Sequence, residues 1–166
     1  RLSYTYAGDA NNAGVNYNDL IYVPTDADVD QMTFDTNLGT EADQRADYKA
    51  YLAQDKYLSS IRGQFSERNG ALTPWYSNWD LRILQDLGLG GTNKVQLSID
   101  ILNVGNLLSS NWGVRQLPIN TQPISMTVDA GNNATYGFDG SLIQTYADSF
   151  ELASRWRLQL GLRYSF

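Results

Sequence analysis

The chain has 166 residues and contains neither cysteine nor histidine. These absences exclude a disulfide framework, a thiol nucleophile, a Cys/His zinc site and a Ser-His-Asp triad. The formal net charge is −6, so we expect no nucleic-acid partner, because nucleic acids are bound by basic surfaces. The sequence starts at Arg1, which favours a processed product or an internal fragment over a complete gene product.

The first predicted strand covers about residues 1–7, where Leu2, Tyr4 and Tyr6 alternate with small or polar residues. A long connection over about 8–73 follows. Thr40 is predicted to cap a helix there, and Gly63 is a plausible stop for it. The apolar residues at helical spacing are Tyr48, Tyr51, Leu52, Leu58, Ile61 and Phe65. We expect this stripe to pack on a small core within the loop and not to bind a ligand.

Three further strands are predicted over about 74–87, 94–103 and 154–166. The first two are joined by a short glycine-rich turn at 88–93. A second long connection, 104–153, is rich in Asn, Gly, Ser and Thr and shows no clear period. The final strand alternates without error, its apolar residues being Trp156, Leu158, Leu160, Leu162, Tyr164 and Phe166.

Strands that are apolar on one face and polar on the other, joined alternately by short turns and long loops, are typical of transmembrane β-barrels. Such strands span the membrane with about 9–11 residues, and aromatic residues lie at both ends. Four strands cannot close a barrel, and an open piece would leave edges unpaired in lipid. We therefore predict an all-β fold: the last four antiparallel strands of a larger transmembrane barrel, with two long extracellular loops, the first containing a helix.

Residues 160–166 resemble the C-terminal strand of bacterial outer-membrane barrels, and the chain as a whole is similar to TonB-dependent receptors. The chain resembles in particular the large type with an N-terminal carboxypeptidase-regulatory-like domain. The remaining matching stretches are residues 8–9, 18–24, 67–70, 73–75, 80–82, 101–108 and 111–113.

The resemblance implies a barrel of about 22 strands closed by a plug, located in the bacterial outer membrane and working as a transporter rather than an enzyme. Residues 1–166 would be the C-terminal segment of that one domain. The implied partners are the remainder of the barrel and its plug, TonB through upstream segments, the barrel-assembly machinery, the lipid bilayer and possible other outer-membrane subunits. An assembly signal is implied at the chain end, in Phe166, Tyr164 and Leu162.

Six charged residues are predicted to face the barrel lumen: Arg82, Asp80, Asp100, Arg155, Arg157 and Arg163. We favour ion pairing across strands over a charged path for an anionic ligand. Residues 9–14 have the start of a calcium-loop pattern, but a turn built by Asp and Asn side chains is favoured. The acidic run of Asp26, Asp28, Asp30 and Asp35 is interpreted as solvated loop. We expect no catalytic, cofactor or metal site.

Two alternatives stay open. One is a structural or accessory barrel subunit of a larger outer-membrane complex, with the long loops as docking surfaces. The other is a soluble all-β carbohydrate-binding module, in which Trp75, Tyr76 and Trp112 stack on sugars. The transported ligand cannot be named from this sequence, because ligand contacts in such receptors come from many loops and from the plug.

Overall fold

The computed structural model describes residues 1–11 and 13–166, and its chain divides into two compact units. The first, here called the loop unit, consists of Arg1–Thr73 and Pro118–Ala147. The second, the sheet unit, consists of Pro74–Leu117 and Asp148–Phe166. Strands predominate over helices and form small antiparallel sheets, none of which closes into a barrel within the described residues.

No helix in the described ranges has both the length and the apolar character needed to cross a membrane. In chain order the elements are β1 (Tyr22–Val23), α1 (Asp26–Gln31), a 3-10 turn (Thr36–Leu38), α2 (Glu41–Gln54), α3 (Lys56–Ser60), β2 (Gln64–Phe65), β3 (Leu81–Gly90), β4 (Asn93–Leu102), α4 (Val104–Leu108), β5 (Gln116–Pro118), β6 (Ile124–Val128), β7 (Ala134–Phe138), β8 (Tyr146–Asp148), a 3-10 turn (Leu152–Ser154) and β9 (Arg157–Ser165).

The predicted helix begins where expected. The Thr40 hydroxyl accepts a hydrogen bond from the Asp43 N–H at 3.1 Å, which satisfies one of the free donors of the first turn. The predicted packing of its apolar stripe is also confirmed, because Tyr48, Tyr51 and Leu52 are fully or almost fully buried in the loop unit.

The prediction of one continuous helix is wrong. Asp55 has an extended ψ of 122° and separates α2 from α3. Its carboxylate accepts from the N–H groups of Tyr57 and Leu58, both at 2.8 Å, so it starts a second helix in place of continuing the first. Phe65 lies in β2 and is exposed. Asp55 ends the first helix because a short polar side chain that bonds neighbouring backbone groups competes with continuation of the helix.

The predicted strand at residues 1–7 is not formed as a strand. Leu2 and Thr5 make only isolated bridges, to Ala71 and Leu20. Tyr4 is fully buried and Tyr6 is 7% exposed, both within the core of the loop unit. The physical reason is that alternating apolar residues can be buried by a protein core as well as by another strand or a lipid.

The second long connection has more order than the sequence suggested. β6 and β7 pair as an antiparallel hairpin in the register Ile124↔Phe138 to Val128↔Ala134. The Phe138 N–H donates to the buried side chain of Gln44 at 3.0 Å. The same Gln44 donates to the Asp35 carbonyl at 2.6 Å, so one amide joins α2, the chain before it and β7.

The sheet unit is built on three antiparallel strands in the order β3-β4-β9. The predicted strand 74–87 begins later, at Leu81, and continues to Gly90, so the predicted turn at 88–93 is shorter than expected. Gly90 and Gly91 have φ of 98° and 63°, a region that glycine enters without the strain a Cβ would cause. The last strand begins at Arg157 and not at 154, because residues Leu152–Ser154 form a 3-10 turn.

Candidate functional site

The three-stranded sheet has two chemically different faces, and the strand register fixes which residue lies on each. Leu81 pairs with Ile101, and Ile101 pairs with Leu158, so these three side chains share one face. Paired residues of antiparallel strands lie on the same side of a sheet. The apolar face is formed by Leu81, Ile83, Gln85, Leu87, Val95, Leu97, Ile99, Ile101, Leu158, Leu160, Leu162 and Tyr164.

This apolar face is exposed. Leu160 and Leu162 are 70% and 72% exposed, and Ile83 is 49% exposed. The predicted alternation is therefore confirmed in β4 and β9, while β3 has one interchange: Gln85 lies on the apolar face and Leu84 on the other. A contiguous apolar patch of this kind on a protein surface marks a place where something else binds or where lipid is met.

Aromatic side chains lie at both ends of the sheet. Trp156 directly precedes β9 and Trp79 lies two residues before β3, at the strand ends that pair with Leu102 and Ile101. At the opposite end, the rings of Tyr164 and Phe166 stack with centroids 5.8 Å apart. Tryptophan and tyrosine combine an apolar body with a polar tip, so they suit a boundary between apolar and aqueous surroundings.

The polar face has a cross-strand ion pair between Arg82 and Asp100. The second contact of the pair, Arg82 Nη2 to Asp100 Oδ2, is 3.2 Å, and Asp100 is only 8% exposed. Further along the same face, beyond the Leu84–Ser98 pair, the Gln96 amide donates to the Asp86 carboxylate at 2.8 Å. Pairing across strands, which the sequence favoured over a charged path for a ligand, is confirmed for Arg82 and Asp100.

The other predicted lumen-facing residues divide into two groups. Arg157 and Arg163 lie on the polar face, opposite Leu102 and Gln96 of β4. Asp80 and Arg155 precede their strands and are not part of the sheet, which corrects the predicted strand limits. The Arg155 guanidinium lies over the Phe150 ring, 6.0 Å from its centroid.

Asn103 is a structural residue that the sequence did not reveal. It has a φ of 55°, a backbone conformation that asparagine tolerates better than most residues. Its N–H donates to Asp80 Oδ1 at 2.8 Å, and its side-chain amide donates to the Gly113 carbonyl at 2.8 Å. A Cβ at Gly113 would collide with this amide. The stretch 101–113 is thus held by asparagine hydrogen bonds, a signal visible only as the spacing of Asn103, Asn106 and Gly113.

Phe166, Tyr164 and Leu162, the predicted assembly signal, are all exposed. Phe166 is 93% exposed at the chain end. The Tyr164 hydroxyl donates to the Asn93 side chain at 3.2 Å, which ties β9 to the turn side of β4. Their exposure leaves them accessible to a partner.

The acidic residues of the first long connection have local roles. Both Asp9 carboxylate oxygens accept backbone N–H bonds, from Ala13 at 3.0 Å and Gly14 at 2.7 Å, which is the predicted turn. Asn12, the fourth residue of that 9–14 segment, lies outside the described residues. Asp26 and Asp30 pair with Arg62 and Lys49. Asp28 completes the capping box of α1, whose N-cap is Thr25, and Asp35 caps the turn at Thr36–Leu38.

No group of three or more metal-ligating carboxylates occurs in the part of the chain that the structure describes. The three-stranded sheet, with its exposed apolar face and its ion-paired polar face, is the feature with the clearest functional meaning. No family model, curated protein or solved structure matches the chain.

Proposed function

We propose that the chain is the C-terminal portion of a TonB-dependent outer-membrane receptor, in which β3, β4 and β9 face lipid with their apolar side. The observation that supports this most strongly is the exposed apolar face of the sheet, including Leu160 and Leu162 at 70% and 72%. In water this face would carry a free-energy cost of about 25 cal/mol for every Å² of apolar surface. In a bilayer the same face is matched by hydrocarbon.

Strand length supports the same proposal. β3 and β4 have 10 residues each and β9 has 9. A tilted strand needs about 9–11 residues to cross the hydrocarbon core. Aromatic residues flank both ends of the sheet, as the girdles of membrane barrels do.

The sheet edges favour a larger assembly. Within the described chain, no strand pairs with the outer edge of β3 or of β9. Unpaired backbone N–H and C=O groups cost several kcal/mol each in hydrocarbon. We therefore propose that further barrel strands pair with both edges.

We propose energy-coupled uptake of a ligand, through a plug and TonB, because the sequence resembles TonB-dependent receptors. The proposed partners are those that the resemblance implies: the remaining barrel and plug, TonB, the assembly machinery, the bilayer and possible other outer-membrane subunits. The polar face, with the Arg82–Asp100 pair, would line the lumen and meet the plug. No enzymatic step is part of the proposal.

The test combines membrane fractionation with a matched pair of substitutions in the full-length protein. Leu160→Arg places a charge on the apolar face and should reduce the amount of membrane-assembled protein, since a charge at the midplane costs about 2–4 kcal/mol. Gln159→Arg adds the same side chain to the polar face and should be tolerated. Equal tolerance of both variants, or a stable water-soluble species of 18.6 kDa, would replace the proposal with the soluble binding module.

Deleting Phe166 tests the assembly signal separately. We expect less heat-modifiable, folded protein in the membrane, while the synthesis rate stays the same. A conservative Phe166→Tyr variant should retain normal levels. Normal levels after the deletion would remove the role proposed for the C-terminal aromatic residue.

An accessory barrel subunit is the second candidate. It is favoured by the loop unit, which has its own buried core and so offers a rigid surface for docking. The upstream sequence distinguishes the two: a plug and a TonB-contact segment are required by the receptor and not by the accessory subunit.

A further inference from the structure

The loop unit contains a cavity of about 370 Å³. Four tyrosines contribute to its wall: Tyr6, Tyr22, Tyr48 and Tyr136. Asp28, Gln31 and Thr33 supply polar groups, and Met32 adds a polarizable side chain. The volume lies within the range of about 300–1,000 Å³ that small-molecule sites occupy.

Asp28 is the one residue with a formal charge among those lining the cavity. Its carboxylate accepts from the Thr25 N–H at 2.9 Å and from the Thr25 hydroxyl at 2.8 Å. These hydrogen bonds lower the pKa of Asp28 below its ordinary value, so the group is negative at neutral pH.

Asp28 differs from several other carboxylates of the loop unit in forming no salt bridge within the described residues. Three other acidic residues of the loop unit form salt bridges, the pairs being Asp26–Arg62, Asp30–Lys49 and Glu41–Arg45. Over the described residues, no lysine or arginine forms a salt bridge with Asp28. Arg62, whose salt bridge is to Asp26, also attracts the Asp28 carboxylate but is not among the residues lining the cavity. The formal charge on the described lining is therefore negative and only partly compensated.

Tyr48 gives a second, independent indication of a ligand. Its side chain is completely buried, and its hydroxyl has no hydrogen-bond partner. Burial raises the pKa of Tyr48 well above its ordinary value, so the hydroxyl stays neutral and keeps an acceptor site for an N–H or O–H group. A buried hydroxyl without a partner costs about 1–3 kcal/mol, a cost that a bound ligand would remove.

We propose that this cavity binds a small organic cation, with its ammonium group beside Asp28 and the tyrosine side chains around it. Aromatic rings attract ammonium groups through their negative faces, and quaternary ammonium ligands are commonly bound by such aromatic cages. A neutral polyol of the same size would bring no charge to complement Asp28. This site goes beyond the proposed transport function and does not depend on it.

The test measures binding of choline to the purified full-length protein by isothermal titration calorimetry. The comparison ligand is 3,3-dimethyl-1-butanol, which has the shape of choline without its charge. We expect choline to bind at least about tenfold more tightly than the neutral alcohol, since a partly desolvated cation–π contact is worth up to about 2 kcal/mol.

The chain offers a matched control for Asp28. Asp28 and Asp43 each follow a capping threonine by three residues at a helix start, but Asp43 does not line the cavity. We expect Asp28→Asn to weaken choline binding by about tenfold, and Asp43→Asn to leave it unchanged. Tyr48→Phe should also weaken choline binding, because it removes the buried hydroxyl that has no partner.

Three outcomes would overturn the proposal: no choline binding, equal affinity for choline and the alcohol, or equal losses in Asp28→Asn and Asp43→Asn. The result is separable from the proposed function. Choline binding by a protein that fails to fractionate with membranes would reject the receptor and keep the cation site, and the reverse result would reject the site alone.

Discussion

The loop unit and the sheet unit treat their apolar residues in opposite ways. In the loop unit, Tyr4, Tyr48 and Phe138 are fully buried, with rings of Tyr48 and Phe138 only 5.1 Å apart. In the sheet unit, Leu160 and Leu162 are largely exposed. Leucine, isoleucine, valine and tyrosine occur in both sets, so residue type alone does not decide whether a side chain is buried. The difference in burial depends on the surrounding chain. The loop unit covers its own apolar side chains, whereas the sheet unit leaves its apolar face for another surface to cover.

The largest expected difference between the two units comes from removing one large side chain from each. Phe138→Ala should lower the free energy of unfolding of the loop unit by about 3–5 kcal/mol, through lost burial and a residual cavity. Leu162→Ala should change the free energy of unfolding by no more than about 0.5 kcal/mol, as for an exposed residue. Chemical denaturation of both variants in the same detergent checks this, and equal losses would contradict the comparison.

Replacing a buried polar group should have the next largest effect on the free energy of unfolding. The Asp55 carboxylate is 4% exposed and accepts from the hydroxyls of Tyr4 and Thr145, both at 2.7 Å. Asp55→Asn weakens bonds to a charged acceptor, which are worth about 1.5–3 kcal/mol each, so we expect a loss of about 2 kcal/mol in unfolding free energy. Asp47→Asn, an exposed position on α2, is the control and should stay within about 0.5 kcal/mol.

The ion pair of the polar face should have a smaller effect. The Arg82 side chain is 69% exposed and that of Asp100 is 11% exposed. Partly exposed pairs typically contribute about 0.2–1 kcal/mol, so a double-mutant cycle of Arg82→Gln and Asp100→Asn should give a coupling energy in that range. A coupling energy well above it would mean that the polar face is shielded from water.

The smallest effect should appear at low pH. The Asn133 side chain and backbone hold the pKa of Asp129 below its ordinary value of 3.8. A lowered folded pKa adds stability above about pH 4, and this is lost as pH falls through the folded pKa. Asp129→Asn should therefore slightly flatten the acid side of a stability-against-pH curve. An unchanged curve would show that Asp129, in the β6–β7 turn, does not contribute to the pH dependence of stability.

The sequence predicted elements whose pattern is local. The alternation of β9 and the Thr40 cap of α2 both involve residues within a few positions of one another, and both are present. The β6–β7 hairpin was not predicted, although it has a local signal: Ile124, Met126 and Val128 alternate ahead of the glycine- and asparagine-rich turn at 129–133.

Other features depended on distant partners. Residues 1–7 alternate as a strand would, yet Tyr4 is fixed by Asp55, 51 positions away. Gln44 meets Phe138 across 94 positions. No local rule reports such contacts, and for that reason the burial of Tyr4 and Tyr6 and the cavity around Asp28 emerged only from the structure.

The hydrogen bonds of Asp55 also have a kinetic consequence. The groups that donate to Asp55 belong to Tyr4, to the start of α3 and to Thr145. The whole β3–β4 hairpin lies between α3 and Thr145 in the sequence. The loop unit can therefore reach its final packing only after the chain has been made as far as Thr145. Because closing long loops is slow relative to forming local turns, we expect the β3–β4 hairpin to form first and the Asp55 network to be among the last contacts to form.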